Sequence, residues 1–257
     1  MKSHTDKTRL DVLLVERGFA PSRQRAQAML LAGNVAVNGQ TSNKAGALIP
    51  HDAEIKISGE TLRYSSRGGL KLEGALEDFH LSPEGKVCLD AGSSTGGFTD
   101  CLLQHGAARV YAADVNVKQL DWKLANDARV VPIKCNVRYL KPEMLPESPQ
   151  FVVMDLSFIS VEKVLPAIVA VTSPNAVFLI LIKPQFELDR GDIGKGGVVR
   201  DAALHQRAIE RVKEAAQNNG LDAVGVEQSR VPGAEGNIEF FLHAVRRPSS
   251  TIAAQTK

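Results

Sequence analysis

The 257-residue chain is short of several things, and each shortage narrows what it can be. It has three cysteines, Cys88, Cys101 and Cys135, an odd count with no CxxC spacing. That excludes a disulfide framework and leaves the thiols as small buried apolar groups in a reducing compartment. The most apolar stretch, 176–182, is far too short to span a bilayer. The first residues, MKSHTDKTRLDV, carry charge without an apolar segment behind it, so no secretory leader is expected. Net charge is only +2, which by itself names no partner. Internal repeats and low-complexity tracts are lacking. So are GxGxxG and GK[ST], which weakens dinucleotide and phosphate-loop readings. No metal-ligating set is expected. What remains is a cytoplasmic chain, 44% hydrophobic, able to build one large domain or a large and a small one.

Charge is distributed unevenly. The first 45 residues hold Lys2, Lys7, Arg9, Arg17, Arg23, Arg25 and Lys44 against Asp6, Asp11 and Glu16. A basic first domain on a near-neutral chain is a local electrostatic footprint. Leu10, Leu13 and Leu14 have helical spacing before Gly18. Ser22 is an N-cap candidate for a second helix whose apolar face is Ala26, Met29 and Leu30, with Gly33 as its stop. Val35–Val37 and 53–57 read as short strands, and Asn38-Gly39 as a tight turn. Residues 1–60 form a small α+β unit, 61–68 a glycine-bearing linker or hinge, 69–247 the main domain, and 248–257 a frayed tail.

The main domain opens with a helix from about Gly69 to Phe79 and then alternates. Strands are expected over 86–90, 109–115, 129–133, 151–156 and 176–184, with helices near 97–105, 120–124, 161–171 and 201–219 between and after them. This pattern makes a mostly parallel sheet with helices on both faces. The last two strands, 223–228 and 237–245, are joined only by the turn at Pro232-Gly233 and pair as an antiparallel hairpin. A seventh, antiparallel strand at that edge separates methyltransferase sheets from dinucleotide-binding ones.

The first strand runs into LDAGSSTGGF, from Leu89 to Phe98. Its glycines let backbone approach a ligand between strand and helix, so Asp90, Gly92, Ser93, Ser94, Gly96, Gly97 and Phe98 are cofactor candidates. Asp114 ends the second strand, where a carboxylate can hold ribose hydroxyls. Asp155 and Lys183 end two further apolar strands, Glu239 lies within IEFFL, and Lys71 sits on the first helix. A charge in an apolar strand costs free energy unless paired, so these four form a site more readily than an accident. The segment 187–200, ELDRGDIGKGGVVR, suits a mobile loop over that site.

Two groups of motifs resemble a known family. RLDVLLVERG, SRQRAQAMLLAG and VAVNGQ are similar to an S4 RNA-binding domain. SRGGLKL, LDAGSSTGGFTD, VVMDLSFIS, IKPQFE and GNIEFFLH look like the TlyA family, often labelled hemolysin A, which resembles FtsJ-type rRNA 2'-O-methyltransferases. The resemblance spans about residues 8–246. It implies a Rossmann-like methyltransferase sheet, S-adenosylmethionine as cofactor, and a cytidine of ribosomal RNA in the ribosomal subunits as substrate, with no membrane partner. The implied catalytic tetrad falls on Lys71, Asp155, Lys183 and Glu239, with Asp155 also near the methionine end of the cofactor. Lys183 is then the expected general base, because burial and a second lysine both favour the neutral amine over the usual pKa of about 10.4. Lys71 would orient the ribose, and the two acids would fix the ammonium groups. Arg9, Arg23, Arg25, Lys44 and Arg67 are the expected RNA contacts. Three other readings compete: a membrane-damaging hemolysin, a non-catalytic RNA-binding assembly factor, and a nicotinamide dehydrogenase.

Overall fold

The computed structural model describes residues 7–20, 23–31, 33–57, 63–233 and 236–247. Contacts divide the chain into two compact units, 1–61 and 62–257.

The smaller unit contains β1 (Lys7–Arg9), α1 (Leu10–Glu16), α2 (Arg23–Leu31), β2 (Val35–Val37), β3 (Gln40–Thr41), β4 (Leu48–Pro50) and β5 (Ile55–Ile57). Its core is Leu10, Leu13, Leu14, Ala20, Ala26, Leu30, Val35 and Ile55. Asn38 and Gly39 both have positive φ, 49° and 80°. A tight turn with that geometry matches the right-handed twist of the β2–β3 pair, which is why Asn-Gly stands there. Asp11 is fully buried and organises the basic residues around it. Arg9 donates to both of its carboxylate oxygens at 2.9 Å, Arg23 at 3.1 Å and Gln27 at 3.0 Å. The Ser22 cap and the C-terminal tail fall outside the described residues, as does the side chain of Arg25.

The larger unit holds α3 (Arg67–Asp78), β6 (Val87–Ala91), α4 (Gly97–Gln104), β7 (Arg109–Asp114), α5 (Trp122–Ala125), β8 (Val130–Lys134), β9 (Phe151–Met154), α6 (Leu165–Val171), β10 (Val177–Ile182), α7 (Pro184–Glu187), α8 (Ala202–Asn218), β11 (Leu221–Gln228) and β12 (Phe240–Arg246). The sheet order is β11-β12-β10-β9-β6-β7-β8. β12 runs antiparallel to both of its neighbours, and the other pairings among the described residues of this sheet are parallel. The sheet is buried on both faces, and the period-2 alternation of each strand divides its residues between them. Val152, Met154, Phe178, Ile180 and Ile182 pack with α6 and α8. Phe151, Val153, Leu179, Leu181 and Phe241 pack with α3 and α4.

Residues 61–70 are expected to be a hinge; 61 and 62 lie outside the described residues, and 63–70 are packed into the large unit. Tyr64 is 1% exposed. The Ser65 N–H donates to Asp100 at 2.7 Å, and Ser66 caps α3. The glycines here serve close approach. A Cβ on Gly69 would lie 2.3 Å from Tyr64, and one on Gly97 only 3.0 Å from the Gly69 nitrogen. Three glycines, Gly68, Gly69 and Gly74, are costly in a twelve-residue helix. Here Gly68 faces Phe98 of α4, Gly69 faces the Tyr64 ring and Gly74 faces the Arg230 side chain. The expected helix at 161–171 is also interrupted: a 3-10 turn covers Val161–Lys163, and α6 starts at Leu165 before Pro166. The final strand begins at Phe240, three residues later than expected.

Hydrogen bonds from Arg9 hold the Asp11 carboxyl well below its ordinary value of 3.8, so its contribution is complete above that value and is withdrawn as pH falls below it. Acid titration followed through the methyl NMR signals of Leu13 and Leu14 should show this unit loosening at low pH. Asp11→Asn should be less stable at neutral pH and should lose that part of the acid dependence.

Candidate active site

Each parallel strand of the sheet ends on the same edge, and the alternation carries past those ends. Phe151 and Val153 face α3 and α4, which puts Asp155 on that side. Leu179 and Leu181 do the same for Lys183, and Phe241 for Glu239. The register pairs Ile182 with Phe240, so the next step outward sets Lys183 beside Glu239. The Asp155 N–H donates to the Ala91 carbonyl at 3.1 Å, fixing it beside the glycine-rich turn. Lys71 is one helical turn beyond the Gly68-Gly69 contact on α3.

Two ion pairs form on this edge. Lys71 Nζ lies 2.6 Å from Glu239 Oε2, with side chains 11% and 2% exposed. Lys183 Nζ lies 2.5 Å from Asp155 Oδ1, with side chains 11% and 24% exposed, and donates to Ser157 Oγ at 3.0 Å. Each ammonium is thus held by an acid from a distant part of the chain. Glu239 is fitted closely: a Cβ on Gly233 would fall 2.2 Å from its Oε1.

A cleft of about 380 Å³ opens beside the Lys183–Asp155 pair, with Asp155 and Ser157 in its wall. Gly92, Ser94 and Asp114 contribute polar surface, and Val115, Val137, Leu156 and Ile159 contribute apolar surface. Asp114 accepts from the Ser94 N–H at 3.0 Å and the Asn116 N–H at 2.8 Å, which fixes the carboxylate on the rim. Gly92 has φ +91°, and a Cβ there would sit 2.6 Å from the Asp155 carbonyl oxygen. Only glycine allows the two backbones to meet at that point.

Several expected cofactor residues lie behind the wall instead of lining it. Asp90 is fully buried and accepts from Thr99 Oγ1 at 2.7 Å. Phe98 is stacked on Phe241 in the core. Gly96 is filled against by Leu124 and Leu120, and Gly97 by Ser66. These four shape the turn from within the protein. Ser93 is 5% exposed, and its Oγ is one of the buried polar atoms without a partner. Sequence reasoning missed Ser157 and Phe158, the latter 91% exposed at the cleft mouth with its ring 5.1 Å from that of Phe186. It also placed Cys135 in the core, whereas this half-buried thiol lines the cleft; Cys88 and Cys101 are buried, their thiols pushed up to about 12. The 187–200 segment is tethered: Asn237 accepts from the Val199 N–H at 3.0 Å and donates to the Gly197 carbonyl at 3.1 Å. Arg9, Arg23, Lys44 and Arg67 are all solvent-accessible, the first two while paired with Asp11.

The residues present suit S-adenosylmethionine. A strand-end carboxylate, Asp114, is placed for ribose hydroxyls. Apolar walls suit adenine, and Asp155 offers a carboxylate to an ammonium. The orphaned Ser93 hydroxyl supplies a further polar atom at the turn. A seven-stranded sheet with one antiparallel strand, ending in such a cleft, defines the class of S-adenosylmethionine-dependent methyltransferases. The comparisons agree. A solved methyltransferase of that type from Listeria monocytogenes shares the fold at TM-score 0.53 and 14% identity, over 71% of this chain and all of that one. The FtsJ-like methyltransferase model matches residues 64–246, and the S4 domain model matches residues 8–55. The chain therefore belongs to the FtsJ-like methyltransferase family, in its S4-bearing TlyA group. It is 45% identical to the 16S/23S rRNA (cytidine-2'-O)-methyltransferase TlyA of Mycobacterium tuberculosis, over 97% of this chain and 94% of that one. It is 42% identical to Hemolysin A of Brachyspira hyodysenteriae, over 92% and 99% respectively. A solved structure described as a hemolysin from Streptococcus thermophilus superposes at TM-score 0.74, with 42% identity over 95% of this chain and 90% of that one.

Two outcomes are expected. Asp114→Ala should weaken S-adenosylmethionine binding, measured by calorimetry, by about tenfold or more through loss of charge-assisted hydrogen bonds. Burial pushes the Asp90 carboxyl up from 3.8 to about 7. The folded state then binds more protons than the unfolded one between those values, so stability falls as pH rises from about 4 to 7. Denaturant midpoints for Asp90→Asn should lack that decline.

Proposed function

We propose that the protein transfers a methyl group to the ribose 2'-oxygen of a cytidine in ribosomal RNA. The observation that carries this reading is the pair of lysine–carboxylate contacts on the sheet edge beside the cofactor cleft. A ribose hydroxyl is a poor nucleophile until it loses its proton. S-adenosylmethionine supplies an electrophilic methyl group when bound. This chain's residues do the rest. Lys183 Nζ, aimed by Asp155 and Ser157, is the group placed to take the hydroxyl proton. Lys71, braced by Glu239, orients the ribose and stabilises charge on its oxygen. Alignment of hydroxyl and methyl carbon supplies much of the acceleration. The named activity of the M. tuberculosis relative supports cytidine and ribosomal RNA as the substrate.

The S4-like unit is read as the RNA grip, with Arg9, Arg23 and Lys44 on phosphates and Arg67 contributing from the larger unit. The target nucleotide must leave its stack to reach the edge. The hemolysin name of some relatives suggests another reading. Among the described residues no helix is long and apolar enough to cross a membrane. The site also supplies group-transfer chemistry that a membrane-active protein does not need. A leakage assay on lipid vesicles separates the two.

The deciding experiment is mass-spectrometric mapping of 2'-O-methylation on rRNA from cells with and without the gene. A methyl mark on a cytidine that disappears with the gene is expected, and an unchanged map would overturn the reading. Lys183→Ala should retain cofactor binding and lose at least about 100-fold in kcat on ribosomal subunits. Near-normal turnover would remove Lys183 as the base.

A further inference from the structure

We propose that Glu187 is a positioning residue for methyl transfer, its buried carboxylate pinning the 155–161 loop, and with it Asp155 and Ser157, onto Lys183. The proposal rests on reading Lys183 and Asp155 as the reacting pair.

Two segments run past each other here, 155–161 after β9 and 183–187 after β10. Three contacts join them in order. At one end Lys183 meets Asp155 and Ser157. In the middle the rings of Phe186 and Phe158 lie 5.1 Å apart. At the far end Glu187 Oε2 accepts from Ser160 Oγ at 2.7 Å, and Oε1 accepts from the Val161 N–H at 2.9 Å. Glu187 is 2% exposed. Both of its oxygens are therefore spent on one loop.

The neighbouring cation does not account for this acid. Arg211 donates to the Glu187 backbone carbonyl at 2.8 Å, leaving the carboxylate to Ser160 and Val161. Among the described residues no counter-ion sits on its oxygens, and a buried carboxylate of that kind is costly unless hydrogen bonds offset the lost solvation. Burial accordingly pushes the Glu187 carboxyl up from its ordinary value. Capping a short turn does not require such a group, since Ser160 already caps the 3-10 turn it begins. The loop itself is under constraint. Phe158 has φ +64°, a sparsely populated conformation for a bulky residue that lasts only where neighbours impose it. Freed from Glu187, the loop can relax toward ordinary backbone and carry Asp155 and Ser157 off Lys183. A displacement of about 1 Å at reacting groups costs on the order of 100-fold in rate.

The test uses the full chain in two variants. Glu187→Ala removes both bonds. Glu187→Gln keeps an acceptor for the Val161 N–H and an amide that can donate to the Ser160 hydroxyl. On ribosomal subunits at saturating cofactor, Glu187→Ala should lower kcat at least tenfold with KM for the RNA within twofold, and Glu187→Gln should recover to within about threefold of wild type. Amide exchange, which needs no turnover, should show Val161 protection lost in the alanine variant and retained in the glutamine variant. Wild-type kcat in Glu187→Ala, or unchanged Val161 protection, would overturn the proposal, as would a glutamine variant no better than alanine. If the wild-type protein itself transfers no methyl group, the activity reading fails, while the exchange comparison still reports on the tether.

Discussion

A charge withdrawn from water must find its opposite, and the active edge of this molecule is organised by that requirement. Lys71 and Glu239 are 168 residues apart and almost fully covered. Neither could be buried alone without losing several kcal/mol of solvation. Together they bind the first helix of the large unit to the segment that enters its last strand. Lys183 and Asp155 impose the same condition on the two central strand ends. Chemistry and architecture therefore share side chains. The groups proposed for proton abstraction are also those that hold four remote segments together.

The sheet makes this pairing possible by simple alternation. Because side chains reverse face at every residue, three strands that bury aromatic and branched residues under α3 and α4 also deliver their terminal charges to that side. The helix completes the set because Gly69 and Gly97 permit contact closer than any side chain would. Specificity of placement thus comes from period and close packing, with the flanking loops adding fine adjustment through Asp114, Asn237 and Glu187.

Much of this was legible in the chain. Strand–helix alternation, the closing hairpin and the glycine-rich turn after β6 follow from local pattern, and the structure has them within a few residues of the expected positions. Charged residues at the ends of apolar strands, Asp155 and Lys183, stood out for the same reason. The readings that needed revision all depended on partners far away in sequence. Gly68-Gly69 looked like a hinge because Phe98 and Cys101 of α4, which pack with Tyr64, lie outside residues 61–70. Asp90 and Phe98 looked like ligand contacts because proximity to a glycine turn does not say which side chains turn inward. Glu187 looked like the start of a surface loop, since its partners Ser160 and Val161 lie 26 or 27 residues upstream. Taken singly, Lys71 and Glu239 looked like ordinary surface charges; the four charges together suggested a site, and the family resemblance gave them the roles of a tetrad.

The reversed direction of β12 has a temporal consequence. A strand that enters the sheet from the Lys183 edge places Glu239 there only after β6 to β11 have been synthesised. Until the ribosome has released that segment, Lys71 has no acid to meet and β10 exposes one side of its backbone. Lys71 is thus made 168 residues before its acid, and this pair can close only after Asp155 and Lys183 have already been made.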